Sequence, residues 1–197
     1  MDMLPIRRAI LSVTDKSGLD DFARFLQENG VELVSTGGTR KKLVQAGLKV
    51  RSVSDLTGFP EILGGRVKTL HPHVHAGILA DKDDSTHMQT LKDLRLAPFD
   101  LICVNLYNFA EAMRQTLQDR QAVEQIDIGG PTMLRASAKN FHSVAVIPDP
   151  SHYSECMEEM RANNGALSLA FRKRMAVITF DLTSSYDRMI ADYLRRS

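Results

Sequence analysis

The strongest constraint on the fold is an alternation of short apolar runs with amphipathic stretches. "AILSV" (9–13) is rich in β-formers and stops at the polar "TDKSG". "LDDFARFLQENG" then places Leu19, Phe22, Phe25 and Leu26 at helical spacing and closes on Gly30. "VELVS" (31–35) predicts a second strand, "TGGT" a tight turn, "RKKLVQAG" a short helix ended by Gly47, and "KVRSVS" (49–54) a third strand. From Asp55 to about Leu79 the pattern breaks at Gly58, Pro60, Gly64, Gly65 and Pro72. A stretch this long without regular structure is functional or disordered, and its Leu, Ile and Val content argues against disorder.

Regularity returns with a helix in "THMQTLKDLRL", a buried strand in "DLICVNLY" (100–107) and a helical region from about Glu111 to Glu124. "GPTMLRASAKN" (130–140) predicts a short helix and "SVAVI" (143–147) a last core strand. "PSHYSECMEEMRANNG" and "ALSLAFRKRMAVITFDLTSSYDRMIADYLRR" predict C-terminal helices, the second in two pieces or bent. Strands separated by helices of this length predict an α/β fold in three layers, a mainly parallel sheet with helices on both faces. One domain over 1–197 is expected, with its core at about 1–148 and the C-terminal helices at about 150–196.

The chain has 25 Lys and Arg against 24 Asp and Glu, a net charge of +1, so affinity for bulk nucleic acid is disfavoured. Its two cysteines, Cys103 and Cys156, stand far apart and outside any metal spacing, as in a reduced, cytoplasmic protein. No run approaches ~18 uninterrupted apolar residues, so no membrane span is expected.

In parallel sheets of this kind, ligands sit beyond the carboxyl ends of the strands. Three polar clusters fall there: Thr14, Asp15, Lys16 and Ser17; Thr36, Gly37, Gly38 and Thr39; and Asn105 with Tyr107. The two glycines of "TGGT" permit close approach of a ligand to the backbone, and the following helix offers unpaired N–H groups. With the threonine hydroxyls and Lys16 this makes a cradle for a phosphomonoester, or simply a turn. "IDIGGPTM" has a similar design, with Asp127 before Gly129 and Gly130 and Pro131 at a helix start. Asp127 there is either a helix cap or a carboxylate beside N–H groups that hold a developing oxyanion. Lys139 is a solvated lysine or, if near Asp127, half of a proton-moving pair.

The stretch "GGRVKTLHPHVHAGIL" (64–79) carries His71, His73 and His75 behind Arg66 and Lys68. Read as excluding a helix, Pro72 leaves the histidines extended, with His71 and His75 on the order of 13 Å apart. Ligand bonds of about 2 Å to one ion then make a metal site improbable, and a basic loop for an anionic substrate is the better functional reading.

These residues resemble the IMP cyclohydrolase domain of the bifunctional purine-biosynthesis enzymes. The resemblance is carried by "LSVTDKSGL", "STGGT", "VSDLTGFPEILGGRVKTLHPHVHAGIL", "NLYNF", "EQIDIGGPTMLRASAKN" and "SSYDRMIADYL", in order along nearly the whole chain. It implies a methylglyoxal-synthase-like fold. It also implies closure of the second purine ring in 5-formamidoimidazole-4-carboxamide ribonucleotide, giving inosine monophosphate and water, as the last step of de novo purine biosynthesis. That chemistry needs donors for the formyl oxygen and groups that move protons, and it needs neither cofactor nor metal.

The resemblance implies that Thr14, Lys16, Thr36, Gly37, Gly38 and Thr39 surround the nucleotide, chiefly its phosphate. Arg66, Lys68 and Thr69 line the substrate, with Lys68 close to the reacting groups. Asn105 and Tyr107 fall beside the base, and Asp127, Ile128, Gly129 and Gly130 form the segment that grips the carboxamide. Lys139 matches the lysine that gives and takes protons, so the implied catalytic set is Lys68, Tyr107, Asp127 and Lys139. A homodimer is implied as well. The family usually has Ser at Thr14, Pro at Asn108 and His at Leu182. The bifunctional enzymes continue into a formyltransferase, which these 197 residues do not include. Formylation is therefore not expected of these residues, which read either as a stand-alone cyclohydrolase, served by a separate formylating enzyme upstream, or as one piece of a longer chain. Regulatory nucleotide-binding modules and methylglyoxal synthase share the fold. The modules do not call for Lys68, Asp127 and Lys139 together, and the long "TGFPEILGGRVKTLHP" loop with "IDIGGPTM" favours a larger ligand than the triose phosphate of the synthase.

Overall fold

The computed structural model describes residues 1–107, 109 and 119–195. Five parallel strands form the central sheet: β2 (Arg8–Ser12), β3 (Glu32–Ser35), β4 (Val50–Ser52), β5 (Leu101–Val104) and β6 (Ala145–Ile147), in the order β4-β3-β2-β5-β6. The register lines up Ile10 with Val34 and Ile102, and Ile102 with Val146. All four of those side chains are fully buried, as in a sheet covered on both faces. Each contributes roughly 1.5–3 kcal/mol of burial, which is why these strands read as unbroken apolar runs.

Helices α1 (Leu19–Glu28), α2 (Gly37–Gln45), α3 (Val53–Thr57), α4 (Pro72–Leu79) and α5 (Ser85–Asp93) precede β5. After it come α6 (Asp119–Val123), α7 (Gly129–Lys139), α8 (Tyr153–Ala162) and α9 (Leu169–Leu194). Helix α1 packs with α8, and α7 packs with both α4 and α9. Asn108 and most of the helical region expected from Glu111 lie outside the described residues. Among the described residues, no helix is long and apolar enough to cross a membrane.

Four local expectations are corrected. Pro72 does not exclude a helix: it occupies the first turn of α4, where its missing N–H has no intrahelical role. His71 caps that helix, its Nδ1 accepting from the His73 N–H at 3.1 Å, so His71 and His75 stand one turn apart on bonded backbone. "TGGT" is not a free turn, because α2 begins at Gly37. The expected third strand ends at Ser52, whose side chain and that of Asp55 form a capping box that starts α3. The last C-terminal segment is a short strand, β7 (Ala166–Ser168), followed by one helix of 26 residues. That strand pairs antiparallel with β1 (Met3–Pro5) in a second, two-stranded sheet.

Candidate active site

The central strands end together at Ser12, Ser35, Ser52, Val104 and Ile147, and the polar clusters stand just beyond them. Some of these groups are consumed in building the edge. The Val13 N–H donates to Thr39 Oγ1 at 3.0 Å, and that hydroxyl donates to the Val13 carbonyl at 2.9 Å. Thr39 is buried, so its hydroxyl ties β2 to α2 and is not available to a ligand. Asn105 has the same kind of role. Its Oδ1 accepts from the Thr14 N–H (2.6 Å) and the Asp15 N–H (3.1 Å), and its Nδ2 donates to the Asp15 carbonyl (2.9 Å). The loop after β2 is therefore held by the loop after β5.

Thr36, buried just before α2, does not cap the helix; its hydroxyl bonds Ser12 Oγ at 3.0 Å. The groups beyond it keep their capacity. Gly37 and Gly38 are exposed, so the first turn of α2 presents its positive end to solvent. Thr14 is exposed beside it, and Lys16 Nζ donates to the Thr14 carbonyl at 3.1 Å.

Opposite this turn lies the loop 58–70. Ile62 and Val67 form an isolated antiparallel bridge, and Leu63, Gly64 and Gly65 between them all have positive φ. This small hairpin delivers Arg66 and Lys68. The close packing of Lys68 shows in two glycines. A methyl group at Gly65 would meet Lys68 Cε at 2.6 Å, and one at Gly37 would lie 3.8 Å from Lys68 Nζ. The Lys68 ammonium thus sits between the hairpin and the start of α2, with Glu61 Oε2 at 3.9 Å. Arg66 is turned onto Glu124 through both arms of its guanidinium, with Nε 3.1 Å from Oε2.

The third wall is the start of α7. Asp127 Oδ1 accepts from the Gly130 N–H at 2.9 Å, and a methyl at Gly130 would lie 2.2 Å from Asp127 Oδ2. A methyl at Gly129 would strike Thr69 Oγ1 at 2.8 Å, so only glycine lets the two loops meet here. Burial pushes the Asp127 carboxyl above the ordinary carboxylate range, against the N–H bonds of Gly130 and Gly129 and the charge of Lys68. Asp127 is therefore both helix cap and titratable group. Ile128 and Tyr107 are exposed at the rim.

Lys68, Thr69, Gly37, Asp127, Gly129 and Gly130 are brought together, and Lys139 is not. It is exposed at the far end of α7, and ten residues of helix carry it about 15 Å along the axis from Gly129. Its neighbour Asn140 bonds the Ile78 and Ala80 carbonyls at the edge where the strands begin. A catalytic Lys139 beside Asp127 does not follow within one chain. The histidines support the loop. Burial and the neighbouring His73 push His71 down, burial lowers His75, and no cluster of three or more metal-ligating groups occurs among the described residues. Glu61, Glu124 and Ser12 are site neighbours that sequence reasoning missed, because nothing in their spacing marks them. Both cysteines are buried, and burial pushes the Cys103 thiol up to about 12, so it is no nucleophile.

Comparison with known proteins decides the family. The MGS-like domain model matches residues 18–132. The chain belongs to the MGS-like domain family. A second model, the AICARFT/IMPCHase bienzyme, matches residues 137–197. The bifunctional purine biosynthesis protein PurH of Mesorhizobium japonicum is 52% identical over 192 residues, covering 98% of this chain and 36% of that protein. PurH of Acetivibrio thermocellus is 50% identical over 191 residues, covering 96% of this chain and 37% of its own length. The chain thus spans a little over a third of these curated relatives, and the match falls on their N-terminal part. Among solved structures, the crystal structure of ForH superposes with a TM-score of 0.83 at 32% identity, covering 94% of this chain and 97% of that one.

Proposed function

We propose that this chain is an IMP cyclohydrolase, closing the ring of 5-formamidoimidazole-4-carboxamide ribonucleotide to inosine monophosphate with release of water. The observation that carries the reading is the convergence of Lys68, Thr69 and Asp127 between two helix N-termini, α2 and α7. The exposed first turn of α2, with Lys16 and Thr14, is suited to the phosphate. Tyr107, exposed at the rim, is the proposed neighbour of the base.

In the reaction the carboxamide nitrogen attacks the formyl carbon. A C–N bond forms and one amide proton passes to the formyl oxygen. The resulting hydroxyl then leaves as water, with the proton of the formamido nitrogen, and the ring becomes aromatic. Asp127, whose affinity for a proton burial has raised, is the proposed acceptor from the amide. The Lys68 ammonium is the proposed partner of the oxygen as charge builds there. The steps are redox-neutral, so the proposed chemistry calls for no electron carrier. No step within one chain is given to Lys139.

The match of residues 137–197 to the bienzyme model favours this reading over a methylglyoxal synthase, which the MGS-like match alone would suggest. The test is a spectroscopic ring-closure assay with the formamido nucleotide, without added metal, folate or nucleotide cofactor. Turnover above the buffer rate is expected, and a rate equal to buffer would sink the proposal. A homodimer is proposed on family grounds and is checked by light scattering. The substrate's formyl group must come from a formyl-transfer reaction, on another segment of the chain or on another enzyme.

A further inference from the structure

The tyrosine of the "SSYDRMIADYL" stretch reaches the wall of the site. Tyr186 lies on α9, outside the residues matched by the MGS-like domain model. It is only 4% exposed, and its phenol oxygen accepts the Asp127 N–H at 2.9 Å. Around it a small cluster forms apart from the main core, with Phe109 buried against it and Leu106 and Ile126 packed on the pair. The Phe109 and Tyr186 rings meet at 6.5 Å, edge to face.

Leu106 and Ile126 immediately precede Tyr107 and Asp127. The two polar side chains at the rim and wall of the site are therefore each mounted on an apolar neighbour, and both neighbours pack on the Phe109–Tyr186 pair. We propose that Tyr186 is a positioning residue: its hydroxyl fixes the backbone of Asp127 in the wall of the site. The C-terminal helix is then a working part of the site and not an outer cover.

Three features carry this further than ordinary packing. The phenol oxygen is the acceptor of the Asp127 N–H, and a partly buried N–H left unpaired is costly. The Asp127 carboxylate reaches Gly130 only 2.9 Å away, so a shift of its backbone by a few tenths of an ångström disturbs both the cap and the distance to Lys68. Burial raises the Tyr186 phenol above its ordinary range, which keeps it neutral and leaves its oxygen a steady acceptor.

The inference rests on the proposed ring closure for its kinetic part, and the experiment separates the two. Tyr186→Phe keeps the ring and removes only the oxygen, whereas Phe109→Leu loosens the same cluster without touching the Asp127 N–H. Ring-closure kinetics, thermal midpoints and amide hydrogen exchange at Asp127 are measured on both variants and the parent. In Tyr186→Phe we expect kcat to fall about tenfold, KM to change less than threefold, and the Asp127 amide to exchange at least tenfold faster. In Phe109→Leu we expect a lower midpoint with kcat within threefold of the parent. Parental kcat and parental Asp127 exchange in Tyr186→Phe would overturn the proposal, as would equal kcat losses in the two variants. If the parent shows no ring closure while Tyr186→Phe still frees the Asp127 amide, the functional reading falls and the anchoring of Asp127 by Tyr186 stands.

Discussion

At the edge where the strands begin, Asp100 accepts the N–H groups of Arg7 (2.9 Å) and Arg8 (2.8 Å) and pairs with Lys82. At the edge where they end, Asp127 accepts from Gly130 and faces Lys68. Both edges thus hold an aspartate and a lysine, but the surroundings differ. The Asp100 and Lys82 side chains are 12% and 9% exposed, and Lys82 also has its N–H on Ser143 Oγ at 2.9 Å. Nearby, the wholly buried Arg172 gives its protons to the carbonyls of Met1, Phe141, His142 and Leu167. At that edge the carboxylate, the ammonium and the guanidinium of Arg172 all have close partners. At the other, Lys68 is a third exposed with its carboxylate partner at 3.9 Å, and the first turn of α2 is open. Residue type does not separate structure from chemistry here; unspent hydrogen-bonding and charge capacity does.

Asp100→Ala should have the largest effect, because it strands a buried ammonium and two backbone donors. A loss of about 3–5 kcal/mol in denaturant unfolding is expected, with kcat of the folded fraction unchanged. A loss below about 1 kcal/mol, within the range of surface pairs, would erase the contrast between the edges.

Asp127→Asn should reverse that pattern. Ring closure should drop about 100-fold, as for loss of a proton-transfer group, while the thermal midpoint at pH 7 holds or rises. The sign follows from the raised folded-state pKa. The carboxyl favours folding when protonated, below its unfolded pKa, and that contribution is lost as pH rises through the folded value. The asparagine variant lacks this loss, so its stability relative to the parent should grow with pH through that window and vanish in acid. A midpoint difference that is flat with pH would show that Asp127 bears no burial cost.

Thr39→Val removes the hydroxyl that serves both Val13 backbone groups. About 1–3 kcal/mol of stability should go, with KM for the nucleotide changing less than threefold. A tenfold rise in KM at full stability would return Thr39 to the ligand. The smallest effect is expected for Lys139→Ala, a change in kcat below about twofold. A large loss would mean that this lysine acts in the site of a second copy.

Much of the fold was legible in the residues. "AILSV", "VELVS", "DLICV" and "SVAVI" read as buried strands and are strands, and the polar clusters after them marked the candidate binding edge. Asp127 before two glycines was legible as a cap and as a candidate acid or base. Pro72 was misread because one residue type both stops a helix and starts one, and only the chain direction around it tells which. The pairing of β1 with β7 was invisible because it joins segments more than 160 residues apart, with three residues on each side.

The sequence by itself determined the layered α/β class and marked the candidate binding edge and the proposed reacting residue types, since these follow from apolar periodicity and from what glycine, lysine and aspartate can do locally. The tertiary structure alone decided which of those residues meet. It spent Thr39 and Asn105 on joining loops, carried Lys139 to the opposite edge along a helix, and brought Tyr186 from the last helix under Asp127. The physical reason is that a hydrogen bond or a charge acts over a few ångströms, and distances that short between remote residues are set by packing rather than by spacing along the chain.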